Sequence, residues 1–262
     1  MNRRRRHSMA WIPLLILVLA VVAAVVLLRY VFVVRNVELS GNQSVSNEVV
    51  IRSARIGLGE SIFSVKEDAM REGVNALGTI RLDSVEVRYP NTLILRVSER
   101  KREAMLLHMG EIRLLDEECC LVESVASVPD TDLIYINGMT VTNLSLGQPL
   151  QAGEGQVEAY CAIMQALNSN GASFYVSEID LGNVNDLRLI TRTGITVELG
   201  DMQNMQNKIA WMRSAVADLE QRNEGGGTLD VRSGNKADYS RTGGQNVPVE
   251  CELEIDPIEE TN

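Results

Sequence analysis

The sequence predicts an α+β protein in which one membrane-spanning helix precedes two small units of sheet covered by helices. Three observations lead there. Residues 9–28 read MAWIPLLILVLAVVAAVVLL, a run of twenty without a charge. From residue 34 onward the apolar positions switch between a period of two and a helical period, in two successive stretches. Hydrophobic residues make up 45% of the chain and aromatics only 4%, enough aliphatic material for packed cores and too much for a wholly disordered chain.

At a rise of about 1.5 Å per residue the apolar run spans roughly 30 Å, the thickness of a bilayer's hydrocarbon core. Arg3, Arg4, Arg5 and Arg6 stand ahead of it, and only Arg29 and then Arg35 follow closely. Such asymmetry holds the N-terminus in the cytoplasm and sends the bulk of the chain outside. A cleaved signal peptide has an apolar region of roughly 7–15 residues ending in a small-x-small site. Here the run is longer and continues into Leu-Leu-Arg-Tyr, so an uncleaved anchor over residues 9–30 is expected, with residues 1–8 as its cytoplasmic flank.

The first unit covers residues 34–100. Residues 34–39 form a β-prone run ending at Gly41-Asn42, a turn signal. Ser46 is placed to cap a helix that carries Val49, Val50 and Ile51, and Gly57 and Gly59 end it with positive φ angles. A second helix over residues 65–77 shows Met70, Val74 and Leu77 on one face. Val85, Val87 and Tyr89 then alternate with Glu86 and Arg88, and Leu93, Leu95 and Val97 repeat the alternation beyond Pro90-Asn91. That is a hairpin whose turn holds the proline and asparagine, with Val87 on the buried side.

The second unit covers residues 101–242. Short strands fall at 104–107, 112–115 and 133–136. Val157, Cys161, Met164 and Leu167 mark one helix. Residues 187–199 alternate on both sides of Thr193-Gly194, a second hairpin. Met205, Ile209, Met212, Val216 and Leu219 mark another helix, which the glycines at 225–227 stop. Residues 228–231 read as a final strand, with nothing evident after it to cover its edge. Residues 243–262 hold six acids and no base, the composition of a solvated, disordered tail.

Charge and motifs narrow the function. The formal charge is −10, and five of the 25 basic residues fall in the first thirty, where no acid does. What remains is too acidic to bind nucleic acid. With two histidines in the chain, a multi-histidine metal site or a histidine-based triad has almost nothing to draw on, and His108 reads as packing or surface. Neither H-E-x-x-H nor G-x-S-x-G occurs, so no catalytic residue, metal ligand or cofactor is expected. Cys119, Cys120, Cys161 and Cys251 read as free thiols, or at most as one bridge to Cys161. An extracytoplasmic, membrane-anchored cell-wall hydrolase is the alternative from another class; it needs a nucleophile with a base, a metal or two convergent carboxylates.

VELSGN (37–42), GLGESIFSV (57–65), VRYPNTLILRVSER (87–100), LLDEECCLV (114–122), GITVELG (194–200) and LDVR (229–232) follow one another in fixed order behind the anchor. In that order the chain resembles the FtsQ/DivIB family of bacterial cell-division proteins over residues 9–241. The resemblance implies that residues 34–100 are a POTRA domain (β-α-α-β-β) and residues 101–242 the family's mixed α/β "β domain". Two departures stand out. Cys119 occupies the place of a usual glycine in Asp-x-x-Gly, and Tyr135 stands where small residues or proline are common.

The resemblance also implies a non-enzymatic, single-pass type II scaffold of the divisome at the septum. Its partners would be small coiled-coil membrane proteins of the FtsB/DivIC and FtsL types, together with other divisome components. It places the partner contact on the terminal segment 228–239. The LDVR match carries that contact onto Arg232, with Ser233, Lys236 and Tyr239 following by position. Recruiting an extended segment to a free strand edge is the physical mode expected there.

Overall fold

A computed structural model describes residues 11–129 and 132–241, and the backbone of residues 246–248. The chain divides into two compact units, Met1–Glu99 and Arg100–Asn262. Arg3 to Arg6 lie outside the described residues.

The first unit opens with helix α1 (Trp11–Tyr30), twenty residues with no buried side chain and Arg29 in its last turn. It is long and apolar enough to cross a bilayer. Strand β1 (Asn36–Ser40) follows, then α2 (Asn47–Ser53), α3 (Glu67–Asn75), β2 (Ile80–Arg88) and β3 (Thr92–Glu99). The sheet order is β1-β3-β2, with β1 parallel and β2 antiparallel to β3. Strands β1 and β3 can run parallel because the two helices carry the chain across. Val50, Ala54, Met70 and Val74 pack on Ile80, Leu82, Leu93, Leu95 and Val97 in one core. Gly41 turns out of β1 at φ +103°, and a Cβ there would lie 1.8 Å from the Val97 carbonyl oxygen. Gly59 has φ +90°, but Gly57 lies outside the left-handed region, unlike the sequence expectation.

The two faces of β2 need a correction in depth. Ile80 and Leu82 are fully buried, whereas Val87 is 38% exposed and Tyr89 62%. A bulge between Leu82 and Ser84 leaves Asp83 out of register. It moves the inward phase from even to odd numbers, because the extra residue flips the alternation. Val87 therefore stands opposite Leu93 as the pattern requires, but at the end of an edge strand that the helices do not cover. Val87→Asp is expected to cost less than about 1 kcal/mol, and Leu95→Ala about 2–5 kcal/mol. Hydrogen exchange of the β3 amides in the solubilised chain reads both. Equal loss of protection in the two variants would contradict this placement.

Glu99 holds the loop after β1. Its carboxylate accepts hydrogen bonds from the Gln43 amide at 2.6 Å, the Ser44 hydroxyl at 2.7 Å and the Ser44 amide. The Ser44 amide bond, then the Ser44 hydroxyl and the Gln43 amide, hold this carboxyl below its ordinary value of 4.5. The unfolded chain binds the proton more readily, so the contribution is complete above 4.5 and is lost as pH falls through the lowered folded value. In acid titrations followed by unfolding, Glu99→Gln should flatten the pH dependence of the first unit. An unchanged profile would show that these bonds do not couple to folding.

The second unit is a ten-stranded sheet among the described residues, in the order β13-β12-β11-β10-β9-β8-β7-β4-β5-β6. In chain order the strands are β4 (Ala104–His108), β5 (Glu111–Leu115), β6 (Leu121–Val125), β7 (Ile134–Asn137), β8 (Val176–Asp180), β9 (Leu187–Thr191), β10 (Thr196–Gly200), β11 (Thr228–Asp230), β12 (Asp238–Ser240) and β13 (Asn246–Pro248). Helix α4 (Gln156–Ser169) joins the parallel pair β7/β8, and α5 (Met205–Gln221) joins the parallel pair β10/β11. Tyr160, Ile163, Met164 and Leu167 of α4 and Ile209, Met212, Val216 and Leu219 of α5 enter a single core. The start of α4 is fastened by buried Gln156. Its Nε2 donates to the Gly138 and Leu181 carbonyls, both at 2.9 Å, and its Oε1 accepts from the Thr140 and Gly153 amides.

The C-terminal end differs from the sequence expectation. The segment 228–239 contributes two strands, β11 and β12, antiparallel to each other. Asn246–Pro248 adds β13 outside β12, inside the stretch expected to be disordered tail. The remainder of residues 242–262 lies outside the described residues.

Candidate partner-binding surface

The surface is built where β10, β11 and β12 run side by side. Glu198 pairs in register with Asp230, and Asp230 with Asp238. Three carboxylates thus stand in one row across three strands, a repulsive arrangement unless cations answer it. Two cations do, both from the turn between β11 and β12. Arg232 sets Nε 3.0 Å from Asp230 Oδ1 and Nη2 2.5 Å from Oδ2, and reaches Glu198 at 3.3 Å. Lys236 Nζ lies 2.5 Å from Asp238. The hydrogen bond from Arg232 holds the Asp230 carboxyl below the ordinary carboxylate value and pushes the Arg232 guanidinium up. The bond to Asp238 raises the Lys236 ammonium.

The turn is held from beneath. A Cβ on Gly200 would lie 3.1 Å from the Arg232 side chain, and one on Gly234, at φ +70°, would lie 3.4 Å from Asn204 and 3.7 Å from Lys208. Lys208 itself is buried, and its Nζ donates to the Asp201 carbonyl and carboxylate, both at 2.9 Å. The turn is thus seated between the end of β10 and the start of α5.

Arg232, Ser233 and Lys236 are exposed together on this turn. Tyr239 is not with them. It is 1% exposed, stands opposite Leu229 on the core face, and donates its hydroxyl to the Gly226 carbonyl at 2.9 Å. The alternation of β12 decides this, because Asp238 and Tyr239 must point to opposite faces. Tyr239 is a packing residue, and the expectation that its ring meets a partner is corrected.

Ser233 and Lys236 also have the S-x-x-K spacing of a nucleophile with its base. Here they sit on a turn, and Lys236 is held protonated by Asp238, the wrong state for a base. Sequence reasoning missed the row Glu198–Asp230–Asp238. The D-x-R spacing of LDVR and the alternation in ADYS were the available signals, but strand register alone aligns the acids.

A second polar cluster lies at the start of this unit. Arg100 pairs with Asp116 and reaches Glu118 at 3.4 Å. Asp116, Glu118 and Cys120 could by type and proximity hold a metal ion, but the Arg100 guanidinium already supplies the positive charge there. Burial pushes the Cys120 thiol up to about 11 and raises Cys119 and Cys161, so none is a ready thiolate ligand. All three are free thiols; Cys251 lies outside the described residues. Cys119 takes φ +60°, the left-handed conformation for which glycine is the usual residue.

A family model described as "POTRA domain, FtsQ-type" matches residues 32–100, and one described as "Cell division protein FtsQ/DivIB, C-terminal" matches residues 104–232. The chain belongs to the FtsQ/DivIB family. It is 22% identical over 211 residues to the cell division protein DivIB of Clostridium botulinum (strain Loch Maree), covering 79% of this chain and 81% of that one. With the cell division protein FtsQ of Myxococcus fulvus it shares 28% identity over 171 residues, covering 65% of this chain and 59% of the relative. The major extracytoplasmic domain of a DivIB from Geobacillus stearothermophilus aligns with 47% of this chain and 97% of its own length at 16% identity, with a TM-score of 0.32. The first unit of this FtsQ/DivIB chain is its POTRA domain and the second its β-rich C-terminal domain.

Tyr239→Phe should lose about 0.5–1.5 kcal/mol with the Gly226 hydrogen bond. Tyr239→Ala should lose about 3–5 kcal/mol with the ring. Urea unfolding of the second unit measures both. A parent-like midpoint for the alanine variant would place the ring outside the core.

Proposed function

We propose that the chain is a non-enzymatic, single-pass scaffold of the division machinery, its N-terminus cytoplasmic and both folded units outside, acting at the septum. Its partners are small coiled-coil membrane proteins of the FtsB/DivIC and FtsL types. They dock at the β12–β13 end of the large sheet, with Arg232, Ser233 and Lys236 as the side chains that meet them. The orientation is supported by Arg3 to Arg6 ahead of an uncharged run.

The observation that carries the docking reading is the way this sheet ends. Its last three strands have three residues each, beside a turn that presents two cations and a hydroxyl. A sheet edge offers unpaired amides and carbonyls to an incoming strand, and β13, three residues long, is held on β12 by few hydrogen bonds and gives way to a longer strand. The flanking Arg232 and Lys236 select acidic side chains on it, exchanging Asp230 and Asp238 for the partner's own carboxylates. Strand β13 occupies the position beside β12 that a partner strand would take.

The test is capture of the purified FtsB/DivIC-type and FtsL-type pair by the full-length chain in detergent. Arg232→Glu combined with Lys236→Glu should weaken capture by roughly tenfold or more, through the reversal of two charges. Truncation after residue 242 removes β13 and should leave capture at least as strong. Parent-strength capture by the folded double variant would dismiss these side chains, and loss of capture on truncation would dismiss the exchange of β13 for a partner strand.

A further inference from the structure

The chain has three phenylalanines, and two of them share one cluster with a tyrosine. Phe32 and Phe63 have ring centroids 5.5 Å apart, Phe32 and Tyr89 6.1 Å, and Phe63 and Tyr89 6.0 Å. Phe32 is half-buried against the core of the domain, and the other two rings stand outside it. Phe63 is 58% exposed and Tyr89 62%, and Leu58, in the loop leading to Phe63, is 69% exposed. Aromatic rings gathered and left open on a small domain call for something that covers them.

The position of the cluster along the chain says what covers it. Helix α1 ends at Tyr30, and Phe32 is already part of the POTRA domain. The Phe32 carbonyl accepts from the Ile62 amide at 3.0 Å, Val34 donates to Glu60 at 2.9 Å, and Arg35 donates to Asn91 at 2.9 Å. Arg35 also caps the end of α1, its Nη2 donating to the Tyr30 carbonyl at 3.0 Å. No free linker separates the helix from the domain.

Chain geometry then bounds the distance. Two residues span at most about 7 Å. A twenty-residue helix fills the roughly 30 Å hydrocarbon core, and the headgroup zone adds about 5–7 Å on each side. Trp11 and Tyr30 stand at the two ends of α1, as aromatic residues do at the two faces of a bilayer. With Tyr30 at the outer boundary, Phe32 falls within the headgroup zone, and Phe63 and Tyr89 lie one ring diameter away. Arg29 and Arg35 add cations at the same level.

We infer that Phe32, Phe63 and Tyr89, with Leu58, form a lipid-contacting patch that seats the POTRA domain on the outer membrane–water interface where α1 emerges. The aromatic rings take the place at the headgroup boundary that interfacial aromatics favour, and the tyrosine hydroxyl stays wet. The patch fixes the domain's approach to the bilayer and is independent of the partner-binding edge.

The test uses the full-length chain in cell membranes with the photoreactive p-benzoylphenylalanine placed at one position at a time. Positions 63 and 89 probe the patch, and position 22 inside α1 reports lipid. Position 43, at the far end of strands running about 25 Å from the patch, reports water. Illumination followed by mass spectrometry should give phospholipid adducts at 63 and 89 as at 22, and none at 43. Adducts to protein at 63 and 89, whether a second copy or another chain, would overturn the inference, as would unreacted probe there while 22 captures lipid. Lipid adducts at 43 equal to those at 63 would also overturn it, by showing capture without a defined seat. As a second measurement, the same probe at position 58 should give phospholipid adducts like those at 63; protein adducts or unreacted probe there, while 22 captures lipid, would count against the seat.

Discussion

Arg100 and Asp116 form an ion pair whose side chains are 4% and 6% exposed, and much of the second unit is arranged around it. A lone buried charge costs several kcal/mol, so each partner depends on the other. Asp116 spends its second oxygen on the Glu118 and Cys120 amides, at 3.0 and 2.8 Å, which closes the turn between β5 and β6. Its carbonyl accepts the Tyr160 hydroxyl at 2.6 Å and so fixes α4 against that turn. One carboxylate thus orders the entry of the chain, a hairpin and a helix, and the left-handed Cys119 follows from the closure of the turn.

At the other end of the sheet the same electrostatic logic is left on the surface. Glu198, Asp230 and Asp238 are aligned by register, and Arg232 and Lys236 answer them from a turn open to solvent. Exposed pairs of this kind are worth little to stability, about 0–1 kcal/mol. Their partners can therefore be exchanged at small cost, which suits a recognition surface. Buried Arg100 has no such freedom.

The POTRA domain of this chain shows how a short connection governs a surface. Because Phe32 pairs into the domain two residues after Tyr30, the end of α1 and the domain cannot separate. Exposed Phe63 and Tyr89, costly on a free-standing domain, are explained by that tether rather than by packing. The bulge at Asp83 has a comparable effect inside the sheet, since it keeps Leu82 and Val85 inward although they are an odd number of residues apart.

Periodicity and turn chemistry made most of this architecture legible beforehand. The uncharged run marked α1, the stripes of Met205 to Leu219 and Val157 to Leu167 marked the two large helices, and Thr193-Gly194 marked its hairpin, because those signals are local and strong. Strands β8, β12 and β13 carried too few apolar residues to announce themselves; they exist because neighbouring strands offer them hydrogen bonds. The candidate site was half legible. Arg232, Ser233 and Lys236 were found on an exposed turn, but Tyr239 was read outward although the pleat turns it in. The sequence by itself determined the long apolar helix, the two units and the family, since composition, period and motif order need no neighbours. Only the tertiary structure decided the depth of Val87, the burial of Tyr239, the acidic row and the aromatic cluster, since each depends on which distant strand or loop lies alongside.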